Sequence, residues 1–282
     1  MGLRIQNNVE AFNTHRQLNS TSSAASKSME KLSSGFRINR AADDAAGLAI
    51  SEKMRGQIGG LAQAQRNAQD GISLVQTAEG ALTEVHSMLQ RVRDLKVQYN
   101  NGTLSDDDKT AISSEVAQIA QEVSSIVTDT KFNGTAVFGA STFVFQVGAN
   151  DSETITTTAA NFSGTIAAGG LSGLTSITDA AGASAALDTG GSLAALSTID
   201  SAIKNVSTAR ANFGAVQNRL EHRLNNLATY QENLTASESR IRDVDMAAEM
   251  TNFTKLNILQ QAGVSMLAQA NQAPQSVLSL LR

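Results

Sequence analysis

The stretch whose reading decides the fold is Ile199–Ile241, IDSAIKNVSTARANFGAVQNRLEHRLNNLATYQENLTASESRI. Its large apolar residues fall at strict sevens: Ile199, Val206, Phe213, Leu220, Leu227, Leu234 and Ile241. Leu196, Ile203 and Leu224 form a second line three to four residues away, broken by Arg210, Gln217 and Gln231. No proline interrupts the run, and its one glycine is Gly214. A seven-residue repeat held this long predicts a helix whose seam stays against partner helices in a left-handed supercoil. At ~1.5 Å per residue it is a rod of roughly 65 Å, too long for an ordinary globular core.

The neighbouring segments carry the same signal. Residues 3–34 read as an amphipathic helix with Ala11, Leu18, Ala25 and Leu32 on one line and Ser22, Met29 and Phe36 beside it. Asn, Gln, Ser and Thr fill the spaces, so the face is either a weak surface or one buried against other subunits. Gly35 is a helix stop, and Asp43-Asp44 stand where acids favour a new helix start. Three parallel seven-spaced lines then run through residues 43–99, among them Leu74, Ala81, Met88 and Leu95. So broad a face needs neighbours on more than one side, which means a bundle. Asn100 to Thr103 make a turn, Ser105 is an N-cap, and Ile112, Ile119 and Ile126 continue the pattern antiparallel to about Thr130.

The period changes at Phe132-Asn-Gly-Thr135, a hairpin signal, and Thr142 to Val147 alternates at period two. Ala149 to Gly191 is rich in Ala, Gly, Ser and Thr and is expected to form short strands and loops with little core. Arg242 to Asp245 read as a joint between helices. The final helix carries Leu256, Leu259, Met266, Val277 and Leu280 on its apolar lines. An apolar end such as Val277 to Leu281 invites association. The expected fold class is mainly α: a long-helix coiled-coil bundle with a small β-hairpin element in mid-chain.

Composition narrows the function. The 282 residues include one proline, no cysteine, no tryptophan, 4% aromatic and 17% charged residues. Without cysteine there is no disulfide, thiolate catalysis or Cys-based metal site. A net charge of −4 and a pI near 5.4, with no basic stripe, argue against nucleic acid as a partner. No apolar run is long enough to cross a membrane, and the start lacks the features of a cleaved secretory signal. His15, His86 and His222 have no second ligand at metal spacing, and the Gly-rich patch at 167–173 lacks the Lys-Ser/Thr of a phosphate loop. No cofactor and no catalytic constellation are expected.

Several long motifs resemble the bacterial flagellins: Leu32-Ser-Ser-Gly-Phe-Arg-Ile-Asn39, Ala42-Asp-Asp-Ala-Ala-Gly-Leu-Ala-Ile50, Asn67 to Gly80 and Phe132-Asn-Gly134 near the front. Gly214-Ala-Val-Gln-Asn-Arg-Leu220, Ser239-Arg-Ile-Arg-Asp243 and Gln269-Ala-Asn-Gln-Ala-Pro-Gln275 resemble them near the end. The match covers roughly 1–139 and 193–282; the segment 140–192 stands outside it. The resemblance implies a self-assembling subunit of the flagellar filament, with a hook–filament junction protein as the alternative. It implies that 1–42 and 240–282 pair as a terminal coiled coil lining the filament core. It implies further that 43–239 form a surrounding bundle with a β/loop insert at 131–192. Leu18, Met29, Leu32, Leu256, Leu259, Met266, Val277 and Leu280 would be the assembly seams.

The implied partners are copies of the chain itself, an export chaperone and secretion channel, and cap and hook-junction proteins. The implied place is the extracellular filament. A host innate immune receptor is a further implied partner, recognising Gln90, Arg91 and Leu95 with Glu115 on the next helix; Asp94 stands where the family more often has Glu. An enzyme displayed in the middle segment is the rival from another class, and 140–192 has no His and few acids to support it.

Overall fold

The computed structural model describes residues 8–138, 142–157, 177–188, 191, 193 and 195–280, with side chains as far as 272. Among them six helices dominate, with two small antiparallel strand pairs. The helices are α1 (Val9–Ser34), α2 (Ala45–Tyr99), α3 (Asp106–Asp129), α4 (Ala180–Leu187), α5 (Leu196–Arg242) and α6 (Met246–Leu280). The strands are β1 (Lys131–Phe132), β2 (Thr135–Ala136), β3 (Phe143–Gln146) and β4 (Thr154–Thr157). The fold is thus the mainly helical class that the seven-residue repeat requires.

Local chemistry sets the ends of these elements. Asn8 caps α1 by accepting from the Ala11 N–H, and Gly35 closes it at φ 76° while its N–H reaches Lys31 O. Asp44 accepts from the Gly47 N–H at 2.8 Å and starts α2. Ser105 and Asp108 form a reciprocal capping box at the head of α3. Asn133 and Gly134, at φ 49° and 79°, make the left-handed pair that a two-residue hairpin needs between β1 and β2.

The chain falls into two compact units: Met1–Gln57 with Glu232–Arg282, and Ile58–Gln231. The second holds the large core. Val75, Leu82, Val85, Leu89 and Val92 of α2, Val116 and Val123 of α3, and Ile199, Val206 and Phe213 of α5 form one buried cluster. β3 pairs with β4 from Phe143↔Thr157 to Gln146↔Thr154. Phe143 and Phe145 turn inward, toward the same cluster, and Val144 turns out.

The first unit is held differently. α1 and α6 pack antiparallel through small and polar side chains: Thr21, Ala25 and Ser28 of α1, and Ala270 of α6. Asn8 Nδ2 donates to Ala270 O at 2.7 Å, and the Ser28 hydroxyl donates to Glu249. A Cβ added to Gly263 would meet Leu18 Cδ1 at 3.2 Å, so the absent side chain lets the helices approach. At the base, Arg37 N–H donates to Arg242 O and Val244 N–H to Gly35 O. The Arg242 guanidinium lies 4.8 Å from the Phe36 ring and donates to Glu52 at 2.8 Å.

One expectation is corrected. Ala180–Leu187 is helical, not loop, and its Ala183, Ala186 and Leu187 are buried. Asp179 caps it by accepting from the Gly182 N–H. Lys96 donates to Leu187 O at 2.5 Å and Tyr99 OH to Asp188 at 2.8 Å, tying the helix down. Burial pushes the Lys96 ammonium below its ordinary pKa. The rest of the Ala149 to Gly191 reading, at 158–176 and 189–190, lies outside the described residues.

Candidate functional site

Two surfaces stand apart from the packing. The first is built where α2 and α3 run past one another. Seven-residue repetition turns Leu89, Val92, Leu95, Lys96 and Tyr99 inward, which leaves Gln90, Arg91, Asp94 and Val97 on the outer face of α2. Arg91 Nε and Nη2 both donate to Glu115 Oε1, at 2.8 and 2.6 Å. The Arg91 side chain is 57% exposed and that of Glu115 42%. Beside them Arg93 donates to Asp200 of α5 at 2.7 Å, and the Gln90 amide sits 3.0 Å from His86 Nε2.

Exposed pairs of this kind add at most about 1 kcal/mol to stability. The folded chain therefore gains little from this patch of paired charge. The structure brings Gln90, Arg91 and Glu115 to one open face and takes Leu95 elsewhere. At 2% exposure Leu95 belongs to the core and serves the patch by seating α2. The sequence reading passed over Val97, an apolar side chain 51% exposed on the same face. Its signal was an apolar residue lying off every core line.

The second surface is the outside of the α1–α6 pair. Leu18, Leu32 and Leu256 are half-buried, whereas Met29, Leu259 and Met266 are exposed. Val277 and Leu280 lie in α6 beyond the described side chains. Phe12, 71% exposed, and Ile258, 61% exposed, are larger bare groups that the proposed seams omitted. Val9, Met250 and Val264 add to them. Isolated apolar side chains on a surface are ordinary. This many on two paired helices form a surface suited to being covered.

Among the described residues, no group of three or more His, Cys, Asp or Glu could hold a metal ion, and no helix is long and apolar enough to cross a membrane.

Comparison with known proteins gives the geometry its context. Residues 5–142 match the profile of the bacterial flagellin N-terminal helical region, and residues 196–281 that of the C-terminal helical region. Flagellin of Bacillus subtilis is 51% identical over 304 residues, covering 99% of this chain and 100% of the relative. Flagellin of Halalkalibacterium halodurans is 51% identical over 280 residues, with 99% of each chain covered. The flagellar filament 33 kDa core protein of Treponema phagedenis is 46% identical over 290 residues, also with 99% of each covered. Among solved structures, Bacillus cereus flagellin is 30% identical, with 57% of this chain and 88% of that one covered at a TM-score of 0.45. With both helical regions present in order and relatives matched from end to end, the chain belongs to the bacterial flagellin family.

Proposed function

We propose that copies of this flagellin join through the bare apolar faces of α1 and α6 when it is built into the flagellar filament. The chain is a structural subunit of that filament, and its task is mechanical, not catalytic. The observation that carries the assembly reading is the mismatch inside the α1–α6 pair. The fully buried residues of its own seam are small or polar, with Leu18 seated against Gly263, while Phe12, Met29, Ile258, Leu259 and Met266 remain outside. Burying one large apolar side chain is worth about 1.5–3 kcal/mol, and a lone pair of helices leaves that unclaimed. Copies packed around the pair collect it. Head-to-tail repetition of such a contact gives an open helical polymer.

In this reading residues 1–42 and 240–282 line the filament core as a coiled coil, and 43–239 surround it. The chain reaches the filament tip by export through the flagellar secretion channel, escorted by a chaperone. Its neighbours at the filament's two ends are the hook-junction and cap proteins, and its final place is extracellular. The patch of Gln90, Arg91 and Glu115, with Leu95 beneath it, is the surface for a host innate immune receptor. The hook–filament junction alternative is not favoured, because the end-to-end relatives are flagellins and filament core proteins.

Seeded polymerisation tests the assembly reading. The full chain added to short filament seeds should elongate them in electron micrographs, and a chain lacking 1–34 and 246–282 should not. Elongation by the trimmed chain would sink it.

A further inference from the structure

Seven methionines are present, and their distribution is uneven. Met29, Met246, Met250 and Met266 are each about half exposed, and all four lie on α1 or α6. Met54 and Met88, both on α2, are partly covered. Met29 follows Ser28 and Met250 follows Glu249, two residues whose side chains hydrogen-bond to each other across the pair. Met246 lies one helical turn before Met250. Three thioethers therefore gather near the base of the α1–α6 pair and the fourth sits farther along α6. With no cysteine in the chain, its soft, oxidisable sulfur is all methionine, and these four thioethers are the more exposed ones among the described residues.

We propose that Met29, Met246, Met250 and Met266 are oxidation sites that decide whether a free subunit can enter the filament. The proposal rests on the assembly reading above. Hydrogen peroxide supplies the oxygen. The thioether sulfur attacks one peroxide oxygen, the O–O bond breaks, and the products are a methionine sulfoxide and water. The sulfur gives up two electrons and the peroxide accepts them.

The product changes the surface in the one respect that assembly depends on. A sulfoxide is polar and accepts hydrogen bonds, whereas the thioether belongs to the bare apolar set of Phe12, Ile258, Leu259 and Val264 on which the contact is built. Carrying an unpartnered polar group into such a contact lowers its equilibrium constant about tenfold or more. In a finished filament the same sulfurs are covered by neighbouring copies, so an assembled subunit resists a reagent that disables a free one. The fold of the Ile58–Gln231 unit is untouched, because none of the four lies in it. Sulfoxide formation is reversible by reductases, which makes this a gate and not only damage.

The test compares the full chain with a variant carrying M29L, M246L, M250L and M266L, each before and after hydrogen peroxide. Mass spectrometry locates the added oxygens, and elongation of seeds is followed by light scattering and electron microscopy. Oxidised wild type should need at least about tenfold more protein to elongate seeds, with its helix content and the melting of its main unit retained. The oxidised leucine variant should elongate as it did untreated, and methionine sulfoxide reductase should restore the wild type. Oxidised wild type that elongates normally with all four sulfurs converted overturns the proposal. If the variant cannot elongate untreated, the reductase arm decides: failure to restore the wild type overturns the proposal. Untreated wild type that never elongates seeds defeats the assembly reading itself, and the proposal with it.

Discussion

The seven-spaced line of α5 behaves differently in the two units. Ile199, Val206, Phe213, Leu220 and Leu227 are all buried; Leu234 and Ile241 are only half-buried. The sequence pattern does not change between them, so the difference comes from what surrounds the helix. In the Ile58–Gln231 unit, large aliphatic side chains from α2, α3 and α5 close around the line. In the other unit the buried residues among those described are few and mostly small: Thr21, Ala25, Ser28, Ile38, Gly47, Ser51 and Ala270. A periodic seam says that a helix needs partners. It does not say whether they come from the same chain.

The contrast sets up measurements that would break or sharpen it. Amide exchange of the monomer should show the widest gap, with opening free energies in α1 and α6 lower than in α2 and α5 of the main unit by on the order of 5 kcal/mol. Rapid cleavage by protease near both ends should accompany it and vanish in the filament. Equal protection in both units would mean the terminal pair is a core in its own right. Next comes Leu82→Ala, which empties a fully buried site and should cost about 2–5 kcal/mol in chemical denaturation. Leu259→Ala, at an exposed site, should leave the same denaturation curve in place and slow elongation instead.

Arg242→Ala should have a smaller effect, about 1–2 kcal/mol, felt as faster exchange around Phe36 and Arg37 through loss of the stacking contact. Acid should act on the same joint. The backbone N–H groups of Arg40 and Asn39 hold Asp43 below the usual carboxylate range, and hydrogen bonding by Arg242 does the same for Glu52. A lowered folded value contributes stability that is present above the unfolded value and lost as the pH falls through the folded one. Protection of residues 35–44, measured against intrinsic exchange at each pH, should therefore fall as the pH drops below about 4. Unchanged protection across that range would show that these carboxylates do not brace the joint. The smallest effect on stability belongs to Arg91→Ala, with melting shifted by less than about 1 kcal/mol. Receptor activation by the monomer should weaken nonetheless, and an unchanged dose curve would return Arg91 to a solvated ion pair.

Most of the helical frame was legible because it rests on two strong signals, period and punctuation. Gly35, Asp44, Ser105 and Asn133-Gly134 each do locally what their chemistry dictates. Helix α4 was not legible, since Ala and Gly bury a face without marking it by size. Lys96 and Tyr99, which fasten it, are far away in the chain. The patch was half legible. Leu95 stood on a core line of α2 and is buried accordingly, whereas Arg91 meets Glu115 only because a short turn folds α3 back along α2. The terminal pair was least legible, because several apolar lines compete there and the residues it fully buries are small or polar.

The joint at the base of that pair also bears on how fast it forms. Helices α1 and α6 are remote in sequence; Arg37 and Ile241, which hydrogen-bond across the joint, are 204 positions apart. Closing a loop of that length is slow and entropically unfavourable. The bridge between Phe36 and Asp243 does that closing once, beside the point where α1 ends and α6 begins. Everything farther out then pairs as the two arms of a helical hairpin, residue by residue from Gly35 toward Asn8. Pairing becomes a zipping reaction of low contact order, on the microsecond scale of local structure, with no further topological search.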